Sequence, residues 1–379
     1  MRLTARQLNR ATLGRQLLLG RERLDVVDAV HRVVALQAQE PASPYIALWN
    51  RLRDFDPADL DRAFVDHEVV KATLMRITMH AVAAADYAAF HEAMQTTLRA
   101  ARLNDRRFRA EGISVEDVEA LTPHMLELAA QPRKNADVEA WLEERFGASK
   151  PRIWWALRHY GPFVHAATGG PWSFGPRPAY LAAPEQNRSG DRAWSIQVLV
   201  RRYLEGFGPA SAQDISQFGL IYRPLVRAAL TSLGDELVSF EGPDGTALFD
   251  VPGGLLPPED SPAPPRLLPM WDSVLLAYAD RSRIIPPEYR RLIARNNGDL
   301  LPTLLVDGFV AGVWRPFDGG IEATAFHRLS EETWEGLATE ARALAAFLAD
   351  REPAVYARYG RWWADLPSAE VRVLGRSRG

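Results

Sequence analysis

Two glutamines separated by one small residue are the side chains whose type and spacing could serve a single chemical site. Gln37 and Gln39 flank Ala38 and lie just before Pro41. Apolar residues at helical spacing, from Val26 onwards, continue onto Gln37 and predict that its amide faces the core side. Amides donate and accept hydrogen bonds without carrying charge, and a buried amide without partners costs about 1–3 kcal/mol. Gln37 therefore needs hydrogen-bond partners or a cavity.

The backbone must leave the helical conformation if both amides are to reach one site. In a continuing helix, the side chains of Gln37 and Gln39 would lie about 200° apart around the axis. In an extended segment they would project to the same side, and Ala38 would not obstruct them. Pro41 favours the extended interpretation, because proline disfavours helix in the residue before it. The alternative is a pair of glutamines that cap backbone groups at a helix end.

The sequence signatures of several other chemistries do not occur. The chain has no P-loop, no dinucleotide-binding glycine pattern, no G-x-S-x-G nucleophile motif and no H-E-x-x-H metal motif. It has no Cys, which excludes disulfides and thiolate ligands. The eight His are scattered, and the closest pair, His159 and His165, lacks a third ligand nearby. The sequence therefore predicts neither a metal site nor a cofactor.

The composition is typical of a soluble globular protein. The 379 residues predict two to three domains, and 47% of them are apolar. No apolar run approaches a membrane span and the N-terminus lacks an apolar signal core, so we expect a cytoplasmic protein without a membrane partner. The formal net charge is −3, so contact with nucleic acid would need a local basic patch. Of the 45 basic residues only three are Lys, and Arg suits bidentate contact with phosphate.

Groups of helices, each followed by a short hairpin, recur three times along the first two thirds of the chain. The first group begins at a capping box from Thr4 to Gln7, continues at the N-cap Asp25 and ends in a predicted hairpin over 69–82. The later elements are predicted helices over 114–130, 135–146 and 151–160 with a hairpin over 161–172, then helices over 194–207, 210–218 and 224–233 with strands over 237–241 and 247–251. Helices followed by a hairpin are typical of winged-helix units.

The last third of the chain is mixed. Residues 252–265 are dense in Pro and Gly and predict a linker. Beyond it, strands over 300–306 and 309–314 flank the hairpin signal Asp307-Gly308, with a further strand over 321–327 and a helix over 330–350. The sequence thus predicts a mainly α protein with small β wings, in the α+β class. Its predicted regions are winged helices over 1–95, 96–190 and 191–255, then a mixed region over 256–379.

Five segments of the chain, in order, resemble one known family. They are Gln37-Ala38-Gln39 after an apolar helix, LMRITMH over 74–80, YLEGFGPASAQD over 203–214, MWDSVLLAYADR over 270–281 and DGFVAGVW over 307–314. Together they resemble the bacterial winged-helix DNA glycosylases of the AlkZ/YcaQ superfamily, in which Gln-apolar-Gln marks the AlkZ-like branch. The family has Trp in a further segment where this chain has Phe218, which can fill an aromatic packing site.

The resemblance implies tandem winged helices in a C shape around duplex DNA, acting without a cofactor. It implies cleavage of the N-glycosidic bond of N7-alkylated purines, including interstrand crosslinks, with Gln37 and Gln39 as the catalytic pair. This chemistry needs no strong base, because N7 alkylation makes the purine a good leaving group and two amide oxygens can orient the water. The proposed site has no Lys, so we expect a monofunctional glycosylase rather than a Schiff-base lyase.

The biological role that the resemblance implies is self-resistance in a producer of a DNA-crosslinking natural product such as azinomycin, or general repair of alkylated DNA. The competing interpretation is a winged-helix transcription regulator without catalysis. A regulator would normally bring a two-fold partner, and the sequence has no coiled-coil heptads for dimerisation. We therefore expect a monomer that binds duplex DNA.

Two basic segments and one predicted hairpin are the expected DNA contacts. The family carries a β-hairpin near the DNA, which we place over 292–304 around an Asn-Gly turn. Arg76, Thr78 and His80 alternate along a predicted strand, where they would either support the catalytic segment or serve packing. The predicted DNA-binding residues are Arg99, Arg102 and Arg106 in the first basic segment, and Arg281, Arg283, Arg290, Arg291, Arg295, Asn296 and Asn297 in the second.

Overall fold

The N-terminal helices begin where the sequence places their caps. In the computed structural model, which describes residues 1–112, 114–184, 190–364 and 366–375, α1 (Ala5–Arg15) begins at the capping box of Thr4 and Gln7. The next helix, α2 (Val26–Arg32), begins at Asp25, whose carboxylate accepts a hydrogen bond from the Val27 backbone N–H. Both predicted helix starts are confirmed.

The described residues are mainly helical, with small antiparallel sheets, which confirms the predicted fold class. The other helices are α3 (Ala42–Arg51), α4 (Pro57–Val65), α5 (Ala84–Leu103), α6 (Arg106–Arg109), α7 (Val115–Leu128), α8 (Asn135–Phe146), α9 (Pro151–Tyr160), α10 (Arg192–Phe207), α11 (Ala212–Gly219), α12 (Arg223–Leu233), α13 (Arg290–Ile293) and α14 (Glu331–Ala349). The strands are β1 (Leu36–Gln37), β2 (Val69–Thr73), β3 (Met79–Ala83), β4 (Arg133–Lys134), β5 (Phe163–Ala166), β6 (Ala179–Ala182), β7 (Val238–Glu241), β8 (Ala247–Asp250), β9 (Arg266–Leu268), β10 (Thr303–Val306), β11 (Phe309–Phe317), β12 (Gly320–Ala325) and β13 (Glu370–Leu374). None of these helices is long and apolar enough to span a membrane.

One six-stranded sheet joins the first two predicted units. Its order is β1-β3-β2-β5-β6-β4, and all neighbouring strands are antiparallel. The two predicted hairpins, β2–β3 and β5–β6, meet where Lys71 pairs with His165. The second strand of the β5–β6 pair lies later in the chain than the hairpin predicted over 161–172. In addition, α5 runs across the boundary drawn between residues 95 and 96, so the two units share a helix as well as a sheet.

The third group of elements follows its predicted order. The helices α10, α11 and α12 are succeeded by the two-stranded wing β7–β8. Ser211 and Asp214 form a capping box at the start of α11. Phe218 is buried, and its ring centroid lies 4.9 Å from that of Tyr203 and 5.3 Å from that of Phe207. Phe218 therefore fills the aromatic packing site expected at this position.

The C-terminal region is built on a five-stranded antiparallel sheet, ordered β13-β12-β11-β10-β9, against which α14 packs. Asp307 and Gly308 both have positive φ and form the turn between β10 and β11 that the sequence predicts. The hairpin predicted over 292–304 forms only as a short antiparallel turn. The helix α13 ends at Ile293, Ala294 and Leu300 form one antiparallel bridge, and the Arg295 backbone N–H donates to the Asp299 carbonyl oxygen at 2.8 Å. No strand of the predicted length flanks the turn.

Candidate active site

Gln37 lies on a short strand rather than on a helix. The helix α2 ends at Arg32, the backbone turns at Val34 with a φ of 73°, and β1 begins at Leu36. The prediction that the chain becomes extended at the glutamines is therefore confirmed for Gln37. Gln37 pairs directly with His80 on β3, so these two side chains lie next to each other on one face of the sheet.

The amide of Gln37 is buried and oriented by a local hydrogen bond. The residue is 4% exposed, whereas Gln39 is exposed. The backbone N–H of Gln39 donates to Gln37 Oε1 at 2.7 Å. Because a backbone N–H can only donate, the amide oxygen must face it, and the amide nitrogen points the other way. The amide oxygen keeps a second lone pair with which to accept a hydrogen bond from water.

His80, beside Gln37, is neutral and held in one tautomer. It is fully buried, and Nδ1 lies 3.1 Å from the Thr78 carbonyl oxygen, to which only a protonated Nδ1 can donate. Nε2 therefore accepts a hydrogen bond, and its donor is Arg76 Nη2 at 3.1 Å. Burial, and then repulsion from the Arg76 charge, lowers the pKa of His80 to about 3. The imidazole thus orients Arg76 and does not exchange protons near neutral pH.

Arg76 and Thr78 do not lie on a strand, contrary to the prediction from their alternation. A 3-10 turn over Met75–Ile77 separates β2 from β3. Arg76 has a φ of 55°, and such a left-handed residue breaks the alternation of an extended chain. Thr78 closes the turn, because its Oγ1 donates to the Met75 carbonyl oxygen at 3.0 Å. Of the three predicted support residues only His80 lies on a strand, and Arg76 reaches it from the turn.

The neutral state of His80 predicts how folding stability depends on pH. The imidazole has a pKa of about 6.5 in the unfolded chain and about 3 in the folded chain. Between these values the unfolded state binds more protons, so the free energy of unfolding falls as the pH drops below about 6.5. We expect the His80→Gln variant to lose part of this dependence in urea unfolding between about pH 4 and 7. The buried His165 is present in both proteins, so an identical pH slope would contradict a neutral His80.

Glu40, which follows the glutamines, is engaged by the C-terminal region. Its Oε1 accepts a hydrogen bond from the Tyr359 hydroxyl at 2.8 Å, and its carboxylate also pairs with Arg358. Two donors occupy this carboxylate, and both belong to the C-terminal region. Glu40 therefore anchors the segment that carries the glutamines.

A buried network holds the backbone immediately before Gln37. The Ser273 hydroxyl donates to the Ala35 carbonyl oxygen at 2.8 Å. The adjacent Asp272 forms two hydrogen bonds with the Arg51 guanidinium, at 2.8 and 2.9 Å, and both side chains are fully buried. Sequence reasoning missed this ion pair, since its members are 221 positions apart. The only available signal was an acidic residue inside the apolar segment over 270–278.

Lys71 is close to the glutamines in the sheet but lies on its opposite face. Lys71 on β2 pairs with Ala81 on β3, and Ala81 pairs with Leu36 on β1, so these three residues form one row across the sheet. Gln37 and His80 belong to the adjacent row. Successive rows of a sheet point to opposite faces. Lys71 is buried, and its Nζ lies 4.3 Å from the centroid of a phenyl ring, that of Phe174. The strands β1, β2 and β3 therefore bring no lysine to the face that carries Gln37.

Several of the predicted DNA-binding arginines are engaged in the fold. Arg283 lies 4.0 Å from the Tyr278 ring centroid and donates to the Pro209 carbonyl oxygen at 2.9 Å. The other engaged residues are Arg295, which donates to the Trp362 carbonyl oxygen, Arg99, which pairs with Glu119, Arg102, which lies over the Trp155 ring, and Asn297, which donates to Asp299. These contacts within the protein are sufficient to hold the five side chains in place.

Other members of the predicted set keep their polar atoms free. Within the described part of the chain, no hydrogen bond or ion pair engages the side chains of Arg106, Arg281, Arg290 and Arg291. Asn296 is exposed at the tip of the short antiparallel turn. The described residues also include no group of three or more His, Cys, Asp or Glu placed to hold a metal ion.

The chain matches one family of known proteins over most of its length. The family model described as DNA glycosylase AlkZ-like matches residues 30–347, a span that includes both glutamines, the Arg76 turn and Arg281. The chain belongs to this family. It is a DNA glycosylase, and the resemblance drawn from the five sequence segments is confirmed.

Two comparisons with individual proteins agree with the assignment to the AlkZ-like family. The Interstrand DNA cross-link repair glycosylase of Streptomyces sahachiroi is 24% identical over 345 residues, which cover 86% of this chain and 91% of that protein. The solved structure of Streptomyces sahachiroi DNA glycosylase AlkZ superposes with a TM-score of 0.77 at 20% identity, over 93% of this chain and 99% of that one. The AlkZ-like chain described here therefore has the AlkZ fold.

Proposed function

We propose that this glycosylase hydrolyses the N-glycosidic bond of N7-alkylated purines in duplex DNA, with Gln37 and Gln39 as the residues that place the attacking water. The observation that carries the proposal is the buried, oriented amide of Gln37 beside a neutral His80. The strands β1, β2 and β3 contain no Asp or Glu, and the chemistry does not require one. Its substrate is duplex DNA, bound by a monomer.

The reaction is feasible with neutral groups because the lesion supplies the driving force. Alkylation at N7 places a positive charge on the purine, so the base departs readily and leaves an oxocarbenium-like sugar. An amide oxygen can then accept a hydrogen bond from water and orient it towards C1′. The carbonyl dipole also stabilises the developing positive charge of the sugar. Undamaged bases leave poorly, so a weak catalytic group favours alkylated DNA.

We extend the proposal to interstrand crosslinks. The Streptomyces sahachiroi relative is named an interstrand cross-link repair glycosylase, and the similarity covers most of both chains. A crosslinked base is tied to the opposite strand, so complete extrusion into a closed pocket is hindered. The proposed role is self-resistance in a producer of a crosslinking agent such as azinomycin, with general repair of alkylated DNA as the other role.

The proposed activity is tested on two duplexes, one with a single N7-methylguanine and one with an N7-guanine interstrand crosslink. After incubation with the enzyme, alkali cleaves any abasic site and a denaturing gel resolves the strands. Alkali-dependent cleavage of both duplexes is the expected result. Salt-sensitive binding without base release from either duplex would contradict the proposal and support the transcription regulator.

The placement of Lys71 predicts a monofunctional enzyme. A lyase needs an amine that attacks C1′, and Lys71 lies on the sheet face opposite Gln37. We therefore expect no strand breaks before alkali treatment and no covalent enzyme–DNA adduct after borohydride reduction. A reduced adduct that forms with the wild type and disappears in Lys71→Met would overturn this expectation. A lyase that forms the adduct with other DNA serves as the positive control.

A further inference from the structure

One guanidinium nitrogen in the side chain that contacts His80 is buried without an acceptor. Arg76 Nη1 has no hydrogen-bond partner, and among the described arginines it is the only terminal guanidinium nitrogen in that state, since the others leave only Nε unsatisfied. Burying a charged donor without an acceptor costs free energy. The rest of the side chain is nevertheless fixed, because Nη2 donates to His80 and the guanidinium lies 5.4 Å from the Phe218 ring centroid.

The turn that carries Arg76 is itself strained. Arg76 and Ile77 have φ values of 55° and 59°, which side chains other than glycine rarely adopt. The backbone of Ile77 still bonds to the Leu74 carbonyl oxygen at 2.9 Å, so the turn is closed. Backbone strain at a residue that holds a buried charged donor without an acceptor is typical of functional sites.

A second arginine reaches the same part of the fold. The Phe218 ring packs against Tyr203, and the Tyr203 hydroxyl donates to the Ala277 carbonyl oxygen at 2.9 Å, four residues before Arg281. Arg281 Nε is buried without a partner as well. The charge of Arg281 adds to burial in lowering the pKa of Arg76 to about 10, as expected for two cations close together.

No described carboxylate balances this pair of cations. Neither Arg76 nor Arg281 forms an ion pair in the described part of the chain. Asp214, on the adjacent helix α11, accepts hydrogen bonds from Ser211 and from the Ala279 backbone N–H. Asp280, next to Arg281, accepts from Ser282. Two guanidinium groups with unsatisfied donors and no counter-ion suit the charge and the acceptor oxygens of a phosphate group.

We propose that Arg76 and Arg281 together bind one backbone phosphate of the lesion-bearing strand and thereby hold the damaged nucleotide against Gln37. Gln37 stands directly across from His80, and His80 accepts the hydrogen bond of Arg76, so one imidazole separates the catalytic amide from the phosphate. This inference rests on the proposed glycosylase function. Arg76 and Arg281 are positioning residues, because they touch the substrate away from the bond that breaks.

The test neutralises one phosphate at a time. A set of duplexes carries a single N7-methylguanine and one methylphosphonate linkage, placed in turn at each position on either side of the lesion. With wild-type enzyme we expect one linkage position to slow base release about ten- to a hundredfold, and the other positions to have smaller effects. Equal effects at every position would show only general electrostatic attraction and would overturn the proposal.

The Arg281→Gln variant links the sensitive position to the arginine pair. On the duplex without a methylphosphonate, this variant is expected to release the base about as slowly as the wild type does when the sensitive phosphate is neutralised. Neutralising that phosphate should not slow the variant further. If the variant and the methylphosphonate at that position slow base release by the product of their separate effects, Arg281 binds elsewhere and the proposal is contradicted. Arg328→Gln, which removes an exposed arginine outside the site, is the matched control for net charge. Arg281→Gln is preferred to a change at Arg76, because Arg76 also holds His80.

Binding affinity separates this proposal from the glycosylase proposal. If the wild type releases no base from any duplex, the glycosylase proposal fails. The dissociation constants of the enzyme for the same methylphosphonate duplexes are then compared instead of the rates. A single sensitive linkage that Arg281→Gln renders insensitive would still support the phosphate site. Base release with no sensitive linkage would instead leave the glycosylase proposal intact and overturn the phosphate site. Inorganic phosphate at millimolar concentration should compete weakly, since strong competition would indicate a free-phosphate site.

Discussion

The Gln37→Ala variant is expected to release N7-methylguanine at least about a hundredfold more slowly than the wild type, while its affinity for the same duplex stays nearly unchanged. The loss arises because the amide oxygen that orients water is removed. The Gln39 backbone N–H also loses its acceptor. Single-turnover excision measures the chemical step, and a fluorescence titration at fixed salt measures affinity.

Matched variants separate the chemical role of Gln37 from its packing role. Gln37→Met keeps most of the buried volume but has no amide, so it should be as inactive as Gln37→Ala if orientation of water is what matters. Gln39→Ala is expected to have a measurable effect of its own, since both amides are proposed to contact the water. Full excision by Gln37→Met would show that the residue only fills space, and the catalytic assignment would then be wrong.

The Arg51→Ala variant is expected to lose about 3–5 kcal/mol of folding free energy. Arg51 and Asp272 form a bidentate pair with both side chains fully buried, so removal of the guanidinium leaves an uncompensated carboxylate in the core. Urea unfolding followed by circular dichroism gives the free energy of unfolding. Ser273 adjoins Asp272 and bonds to the Ala35 carbonyl oxygen, two residues before Gln37. The excision rate of the variant should therefore also fall as the urea concentration approaches the unfolding transition.

Two comparisons test whether burial is the reason for this loss. The double variant Arg51→Met/Asp272→Asn leaves no isolated charge, so its destabilisation should be smaller than the sum of the two single changes. The exposed pair of Arg23 and Asp54, 3.6 Å apart, provides the control, and Arg23→Ala should cost less than about 1 kcal/mol. Equal losses at the buried and exposed pairs would contradict the argument from burial.

The features that the sequence predicts well are those with local causes. The capping box at Thr4 starts α1 because its partner Gln7 lies three residues away. The Asp307-Gly308 turn follows from the left-handed conformations that these residue types tolerate. The extended backbone at Gln37 also has a local cause, since the helix α2 is short and Pro41 follows.

The features that the sequence does not predict depend on long-range contacts or on unmarked boundaries. The helix α5 begins directly after β3, and its N-cap Ala83 makes no side-chain hydrogen bond, so no sequence signal marks its start. The polar residues Arg76, Thr78 and His80 occur at every second position, which is the pattern of a strand. Arg76 nevertheless lies in a turn, because its backbone has a left-handed φ. The pairing of Arg51 with Asp272, and of Lys71 with His165, depends on the tertiary fold. Residue types alone carry no signal for either.

β1 is two residues long and forms one edge of its sheet, with β3 as its only strand partner in the described structure. The Gln37 amide, which is proposed to be catalytic, therefore lies at the margin of its sheet, although the residue is only 4% exposed. If a substrate reaches the amide from that margin, the size of the chemical group attached to the base is not limited by an interior volume. Tolerance for bulky adducts would follow, and the stability of the departing base, rather than its dimensions, would rank the lesions that such an enzyme removes.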